Sequence, residues 1–204
     1  MKRRAFTLLE LLVVISIIGI LVAIGLPALM AAKKASKEKA CRASISNIET
    51  ALGSYEAKFG DYPPSGDFVK GANTLNQGGE SLVWHLFSTT KGGPYLDMST
   101  WESKLGNSDA DDAGKKPDNS VYQLSEMKEL EDEWKNPFIY FHWRDYAKPA
   151  RFSHYMIHAE EQDCVPAKSS KSGAYHGPGK FQLWSAGSDD KNNNGEEGDI
   201  APWD

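Results

Sequence analysis

The sequence predicts an α+β fold in which one long N-terminal helix packs on a small antiparallel sheet. Three observations predict it. Residues 11–30 contain no charged side chain, and a helical apolar stripe continues beyond them to Phe59. Short runs rich in aromatic and branched side chains follow in the second half of the chain. Helical periodicity followed by separate strand-like runs is typical of an α+β domain.

The uncharged run is long enough to cross a membrane. Twenty residues at about 1.5 Å each give about 30 Å, the thickness of a bilayer's hydrocarbon core. The basic residues Lys2, Arg3 and Arg4 precede it, which predicts a cytoplasmic N-terminus and an exported body. A secretory signal peptide is the alternative, but its apolar core is normally only about 7–15 residues long. We expect a membrane-spanning helix that ends near residue 30.

Glu10 lies at the edge of this run. A carboxylate at membrane depth is costly unless it is paired, and nothing later in the span offers a cation. The nearest candidate partner is a free α-amino group made by cutting the chain just upstream, on this subunit or on a neighbour. This interpretation explains the basic leader, the small residue Ala5 and Glu10 together.

The segment Phe6-Thr7-Leu8-Leu9-Glu10, followed by Leu11-Leu12-Val13-Val14-Ile15, resembles the class III signal of type IV pilins and type II secretion pseudopilins. The resemblance implies that a prepilin peptidase cuts between Ala5 and Phe6 and methylates Phe6. It thus implies a leader over residues 1–5 and a membrane-spanning helix over residues 6–30. It also implies an assembly role for Glu10, the fifth residue of the mature chain. Gly19 and Pro27 fall where these helices carry a flexible Gly and a helix-bending Pro. Ala5 departs from the pattern, in which the cut usually follows Gly, but Ala is small enough that we still expect cleavage.

The helical pattern resumes after Pro27 as a one-sided apolar stripe. It consists of Ile45, Ile48, Leu52, Tyr55 and Phe59. Gly60 should end the helix and Pro63-Pro64 prevent it from resuming, which predicts one helix of more than fifty residues. The basic residues above the span should face solvent or lipid headgroups rather than DNA; they are Lys33, Lys34, Lys37, Lys39 and Arg42.

The remaining elements are short. Residues 78–88 predict a second helix with Leu82, Leu86 and Phe87 facing inward. Residues 97–132 are charged and poor in aliphatic side chains, which indicates an insertion, with a short helix around residues 124–130. Three runs predict strands with antiparallel pairing; they cover residues 138–143, 152–157 and 180–185.

Charge and cysteine content limit the class of function. The formal charge is 23 − 28 = −5, and loss of the three basic leader residues makes it 20 − 28 = −8. An acidic body argues against nucleic-acid binding.

Two cysteines are too few for a disulfide framework, so a Cys41–Cys164 bridge and two partly buried thiols both remain open. His154 and His158 are expected to be surface or hydrogen-bonded residues, and no motif of a catalytic site is present. We therefore expect no enzymatic activity.

The C-terminal loop is a candidate calcium site. The sequence Asp190-x-Asn192-x-Asn194-Gly195 matches the opening of a calcium loop, but Ala201 stands where the bidentate Glu should be. The alternative is a flexible polar loop that binds nothing. The loop's own pattern suggests Asp190, Asn192 and Glu197 as ligands.

Further matches narrow the resemblance to the G-type major pseudopilin. Residues 55–63 (Tyr-Glu-Ala-Lys-Phe-Gly-Asp-Tyr-Pro) resemble the end of its helix, and residues 134–140 (Trp-Lys-Asn-Pro-Phe-Ile-Tyr) are similar to its Trp-Gly-Asn-Pro-Tyr-x-Tyr signature. Leu183-Trp184-Ser185-x-Gly187-x-Asp189 with Asp199-Ile200 is similar to its calcium loop. The resemblance implies Ca²⁺ bound by the side chains of Asp189 and Asp199 and by carbonyls such as that of Ala186.

A pilin-like fold and a structural role follow from this resemblance. It implies a subunit that polymerises with itself into a periplasmic pseudopilus and drives protein export across the outer membrane. Its implied partners are minor pseudopilins, the inner-membrane assembly platform and the prepilin peptidase, with no nucleic acid. It implies a single pass through the inner membrane, with residues 31–204 in the periplasm. A type IV pilus subunit for adhesion, motility or DNA uptake is the alternative.

Overall fold

The computed structural model describes residues 8–66, 68–69 and 73–203. The chain divides into two units, one ending at Lys37 and one beginning at Glu38. Helix α1 (Leu8–Phe59) contains 52 residues, which confirms the prediction of a helix longer than fifty residues.

The first unit is an apolar helical segment. Every large apolar side chain from Leu8 to Met30 is between 46% and 81% exposed. The hydroxyl of Ser16 donates a hydrogen bond to the carbonyl oxygen of Leu12 at 2.7 Å, so this polar group is satisfied within the helix. Among the described residues, α1 is the one helix long and apolar enough to cross a membrane.

The second unit begins with the remainder of α1. Its buried face contains the predicted stripe as far as Tyr55, whose ring stacks on the half-buried Phe59 with centroids 4.1 Å apart. Gly60 ends the helix with φ +81° and donates its N–H to the carbonyl of Glu56 at 2.7 Å. A residue with a Cβ would be strained in this left-handed conformation.

Helix α2 (Gln77–Leu86) lies close to its predicted position. Leu82, Leu86 and Phe87 are fully buried, which confirms the prediction of an inward face. The helix packs against two strands, which cover Glu129–Leu130 and Ile139–His142.

In the part of the chain that the structure describes, six short strands form three antiparallel pairs. Strands β1 (Leu105–Gly106) and β2 (Glu129–Leu130) pair, and β3 (Ile139–His142) pairs with β6 (Phe181–Trp184) in the register Ile139 opposite Trp184. Strand β4 (His154–Ile157) pairs with β5 (Glu160–Asp163). The antiparallel direction and the three predicted strands are confirmed. Strand β5 was not predicted, and it is β5 that pairs with β4.

The β3–β6 pair separates two apolar clusters. Tyr140 and Leu183 belong to the cluster built on α1 and α2, while Ile139, Phe141 and Trp184 belong to a second cluster on the opposite face. All four residues of β3 are buried. Burial of both faces explains why this strand is an almost continuous apolar run.

The insertion differs from its prediction. Residues 124–130 form no helix, because their backbone bonds to distant segments: Met127 donates to the carbonyl of Asp111 at 3.2 Å, and Phe138 donates to that of Leu130 at 2.9 Å. A four-residue helix, α3 (Met98–Trp101), lies at the other end of the insertion. The insertion also contributes to the core, through the buried side chains of Trp101, Tyr122, Met127 and Leu130.

The two cysteines are free and fully buried. Cys41 lies in the first apolar cluster and Cys164 in the second. Burial raises the pKa of the Cys41 thiol to about 12 and raises that of Cys164 as well. Of the two alternatives, the structure therefore has buried thiols rather than a bridge, and they are inert as nucleophiles near neutral pH.

Candidate functional site

The N-terminal segment combines an exposed apolar surface with one carboxylate. Glu10 lies in the first turn of α1, where a negative charge interacts favourably with the helix dipole. The apolar side chains that follow it have no cover within the first unit. The processing residues Ala5 and Phe6 lie outside the described residues, so their role stays a prediction.

The C-terminal loop is organised around Asp199. This side chain is buried, and its carboxylate accepts hydrogen bonds from the backbone N–H of Asn193 at 3.0 and 3.1 Å and of Gly195 at 2.6 Å. Asn194 and Gly195 both have positive φ, which curls the backbone so that its N–H groups converge on the acid. The loop is therefore ordered by one of its own carboxylates.

The two ends of this loop meet at a pair of glycines. A Cβ on Gly187 would lie 2.6 Å from the carbonyl oxygen of Gly198, so no other residue fits there without a shift. The carboxylate of the exposed Asp189 lies beside Gly198, with one oxygen 3.6 Å from the position of a Cβ on that glycine. The structure thus brings the segment of Ala186 and Asp189 next to that of Asp199.

The ligands suggested by the loop's own pattern have other partners. Asp190 accepts a hydrogen bond from the side chain of Asn136 at 2.7 Å and lies 3.4 Å from His158. The side-chain oxygen of Asn192 accepts from the indole N–H of Trp184 at 3.1 Å. Glu197 is exposed. Their role as metal ligands stays a prediction.

Asn136, within the 134–140 signature, anchors the loop. Its amide group donates to Asp190 and accepts from the backbone N–H of His158 at 2.9 Å. Asp132 holds the turn that presents it, accepting from the N–H of Trp134 at 2.8 Å and of Asn136 at 3.0 Å. Burial raises the pKa of Asp132 to about 6. The sequence match placed Asn136 in the 134–140 signature. It did not reveal that Asn136 connects the C-terminal loop, at Asp190, with the turn at His158.

Gln162 on β5 is a second anchor. Its amide donates to the carbonyl of Asp190 at 3.0 Å and accepts from the N–H of Asn192 at 2.9 Å. Because β5 was not predicted, this contact could not be inferred from the sequence. The two histidines have carboxylate neighbours: His154 lies 3.1 Å from Glu161 and 3.0 Å from Asp163.

Comparison with known proteins adds to this geometry. Residues 1–26 match the family described as the prokaryotic N-terminal methylation motif. The type II secretion system core protein G of Escherichia coli (strain K12) is 46% identical over 83 residues, which are 40% of this chain and 50% of that protein. The chain is pseudopilin-like. It spans about half the length of the curated relative it matches, and no solved structure matches it.

For a pseudopilin-like chain, the exposed helix has a direct physical meaning. An apolar helix with no cover of its own is stable in lipid or against other apolar helices. A carboxylate at the end of such a helix is stable only beside a positive group. The apolar side chains of this segment therefore need cover from outside the first unit.

Proposed function

We propose that this chain is a structural subunit of a type II secretion pseudopilus. The observation that carries the proposal is the exposed apolar part of α1 from Leu8 to Met30. Most of it lies within residues 1–26, which match the methylation motif. In this proposal the prepilin peptidase removes residues 1–5, and the new α-amino group of Phe6 pairs with Glu10 of a neighbour. The role is mechanical rather than catalytic.

The proposed location and partners follow from the same helix. Before assembly the chain crosses the inner membrane once, with its globular unit in the periplasm. On assembly the apolar helix exchanges lipid for the helices of other subunits, so that its apolar surface stays covered throughout. Minor pseudopilins and the inner-membrane platform are the proposed partners that start and drive polymerisation.

Substitution of Glu10 tests the proposal. We expect Glu10→Ala and Glu10→Gln to abolish filaments sheared from cells that express the secretion system, because neither side chain can form the ion pair. Membrane insertion should persist, since removal of a charge makes insertion more favourable. Ser16→Ala is the matched control, because it changes a polar side chain in the same helix without changing its charge, and it should assemble normally.

The proposal fails if Glu10→Ala chains form filaments in normal amounts. Loss of the variant from the membrane fraction would also contradict it, because anchoring rather than assembly would then depend on Glu10.

We further infer that the C-terminal loop holds a calcium ion. Two features support it: Gly187 and Gly198 bring the segments of Ala186, Asp189 and Asp199 together, and the donor set is made of oxygens alone, which suits calcium. Asp199 serves mainly to order the loop, and Asp189 supplies an exposed charge. Bound calcium would add a positive charge between segments that already meet.

Melting curves of the detergent-solubilised chain test this inference. Calcium at a hundredfold excess over Kd should stabilise the fold by about 2.7 kcal/mol relative to chelator. Asp189→Ala should reduce this gain, while Glu196→Ala, which removes another exposed carboxylate of the same loop, should leave it unchanged. An undiminished calcium response in Asp189→Ala would remove the loop as a calcium site.

A further inference from the structure

A second group of carboxylates lies away from the C-terminal loop, between α2 and the insertion. Glu80 comes from the first turn of α2, and Asp109 and Asp111 come from the segment after β1. One carboxylate oxygen from each lies within 4.8 Å of the others. Glu129 on β2 adjoins them, and both Glu80 and Glu129 are only 1% exposed.

Hydrogen bonds fix one oxygen of two of these acids and leave the other oxygen without a partner. Asn73 donates to Oδ2 of Asp109 at 2.8 Å. Asn76 and Ser108 both donate to Oε1 of Glu129, the hydroxyl of Ser108 at 3.0 Å. The remaining oxygens, Oδ1 of Asp109 and Oε2 of Glu129, are buried without a hydrogen bond in the described part of the chain.

The other two acids are less satisfied still. Both oxygens of Glu80 and both of Asp111 are buried without a hydrogen-bond partner among the described residues. Six carboxylate oxygens of these four acids are therefore without a hydrogen bond in the described part of the chain. Within residues 8–66, 68–69 and 73–203, no lysine, arginine or histidine forms an ion pair with any of the four acids.

This arrangement is unfavourable for the protein alone. Buried carboxylates lose their hydration, and like charges at this separation repel each other. Burial, together with the charges of Asp111, Asp109 and Glu129, raises the pKa of Glu80 to about 10. A positive ion at the centre of the group would remove both penalties.

We propose that Glu80, Asp109, Asp111 and Glu129 bind a calcium ion between α2 and the insertion. One oxygen each of Glu80, Asp109 and Asp111 converge within 4.8 Å of one another, and Glu129 adjoins them. The six unpartnered oxygens of the four acids are enough for the six to eight ligands that calcium takes, and ligands from a helix, a loop and a strand suit its irregular geometry. Zinc is disfavoured because the group has no Cys or His, and magnesium because it keeps several waters and requires near-octahedral geometry. The ion would bind the insertion to the rest of the unit. The proposal is independent of the filament function.

Calcium titration of the detergent-solubilised full chain, followed by calorimetry, tests this proposal. Asp189→Ala, which affects only the C-terminal loop, should still bind one calcium ion per chain. Adding Glu80→Gln and Asp111→Asn to that variant should weaken the remaining site at least tenfold. The matched control is Glu126→Gln, which removes an exposed carboxylate of the insertion and should leave binding unchanged.

Two results would overturn the proposal. The first is an Asp189→Ala chain that binds no calcium, which is a measurement on a variant with the buried group intact. The second is unchanged calcium binding after Glu80→Gln and Asp111→Asn. Folding of that double variant is checked in chelator, where it should melt at or above the wild-type temperature, since it no longer contains two adjacent carboxyl groups that lack hydrogen-bond partners.

Discussion

The C-terminal loop and the buried acidic group are both rich in carboxylates, but they stabilise these charges in opposite ways. In the loop, Asp199 accepts backbone hydrogen bonds and Asp190 accepts one from Asn136. In the buried group, Glu80 has no hydrogen-bond partner on either oxygen among the described residues. Hydrogen bonds satisfy the buried acid of the loop, whereas the buried group needs an ion or protons.

This difference shows that the local density of acidic residues does not reveal whether their charges have hydrogen-bond partners. The loop has five acidic side chains between positions 189 and 199, yet its backbone amides already order it. The four acids of the buried group are spread from position 80 to position 129. Their unpartnered oxygens, rather than their number, indicate a missing cation.

Removing the acid that orders the loop should give the largest effect on stability. In chelator, Asp199→Ala leaves the N–H groups of Asn193 and Gly195 without their acceptor, so we expect a loss of about 2–4 kcal/mol in the free energy of unfolding. Asp199→Asn keeps one acceptor oxygen and should lose about half as much. Chemical denaturation of the chain in detergent measures both. Equal stability of wild type and Asp199→Ala would show that the loop does not depend on this carboxylate.

The buried group should instead destabilise the fold as the pH rises. The pKa of Glu80 is raised from 4.5 to about 10, so between these values the folded state binds more protons than the unfolded state. The free energy of unfolding must then fall with rising pH, and one carboxyl shifted across this range should cost about 2.7 kcal/mol between pH 6 and 8 in chelator.

Glu80→Gln should reduce this dependence on pH. It should not abolish it, because the pKa of Glu129 is also raised, to about 8. Excess calcium should flatten the wild-type profile, since the ion replaces the protons. A Glu80→Gln profile as steep as the wild-type one in chelator would contradict the proposed state of the buried group.

Lys135 offers a smaller test of how the loop is anchored. It has φ +72° at the position where the similar signature has Gly, and a residue with a Cβ is strained there by about 1 kcal/mol or more. Lys135→Gly and Lys135→Ala both lose the contact of the ammonium with Glu131, but only Gly relieves the strain. We expect Gly to be more stable than Ala by about 1 kcal/mol in denaturation, and equal stabilities would argue against strain at this turn.

Elements with a regular apolar pattern could be predicted from the sequence. The stripe of α1, its end at Gly60 and the buried face of α2 all depend on spacing along a single helix. Strand β5 could not be predicted, because its residues, Glu160 to Asp163, are polar and mostly exposed. Its hairpin also turns through His158 and Ala159, which have positive φ without being Gly.

Sites that depend on tertiary contacts were harder to predict from the sequence. The resemblance indicated Asp189 and Asp199, which the structure places on adjoining segments. The buried group joins residues as far apart as Glu80 and Glu129, and no spacing rule connects them. The helix predicted around residues 124–130 was wrong for a similar reason, since backbone bonds to distant segments replace the helical ones.

Processing and polymerisation of this chain both depend on its N-terminal segment. Identifying the N-terminal residue of the chain in sheared filaments is the most direct test of both. Mass spectrometry of filaments from cells with an intact secretion system should find a chain that begins at a methylated Phe6. A chain that begins beyond Met30 would mean that the apolar segment is an ordinary signal peptide, and it would contradict the account.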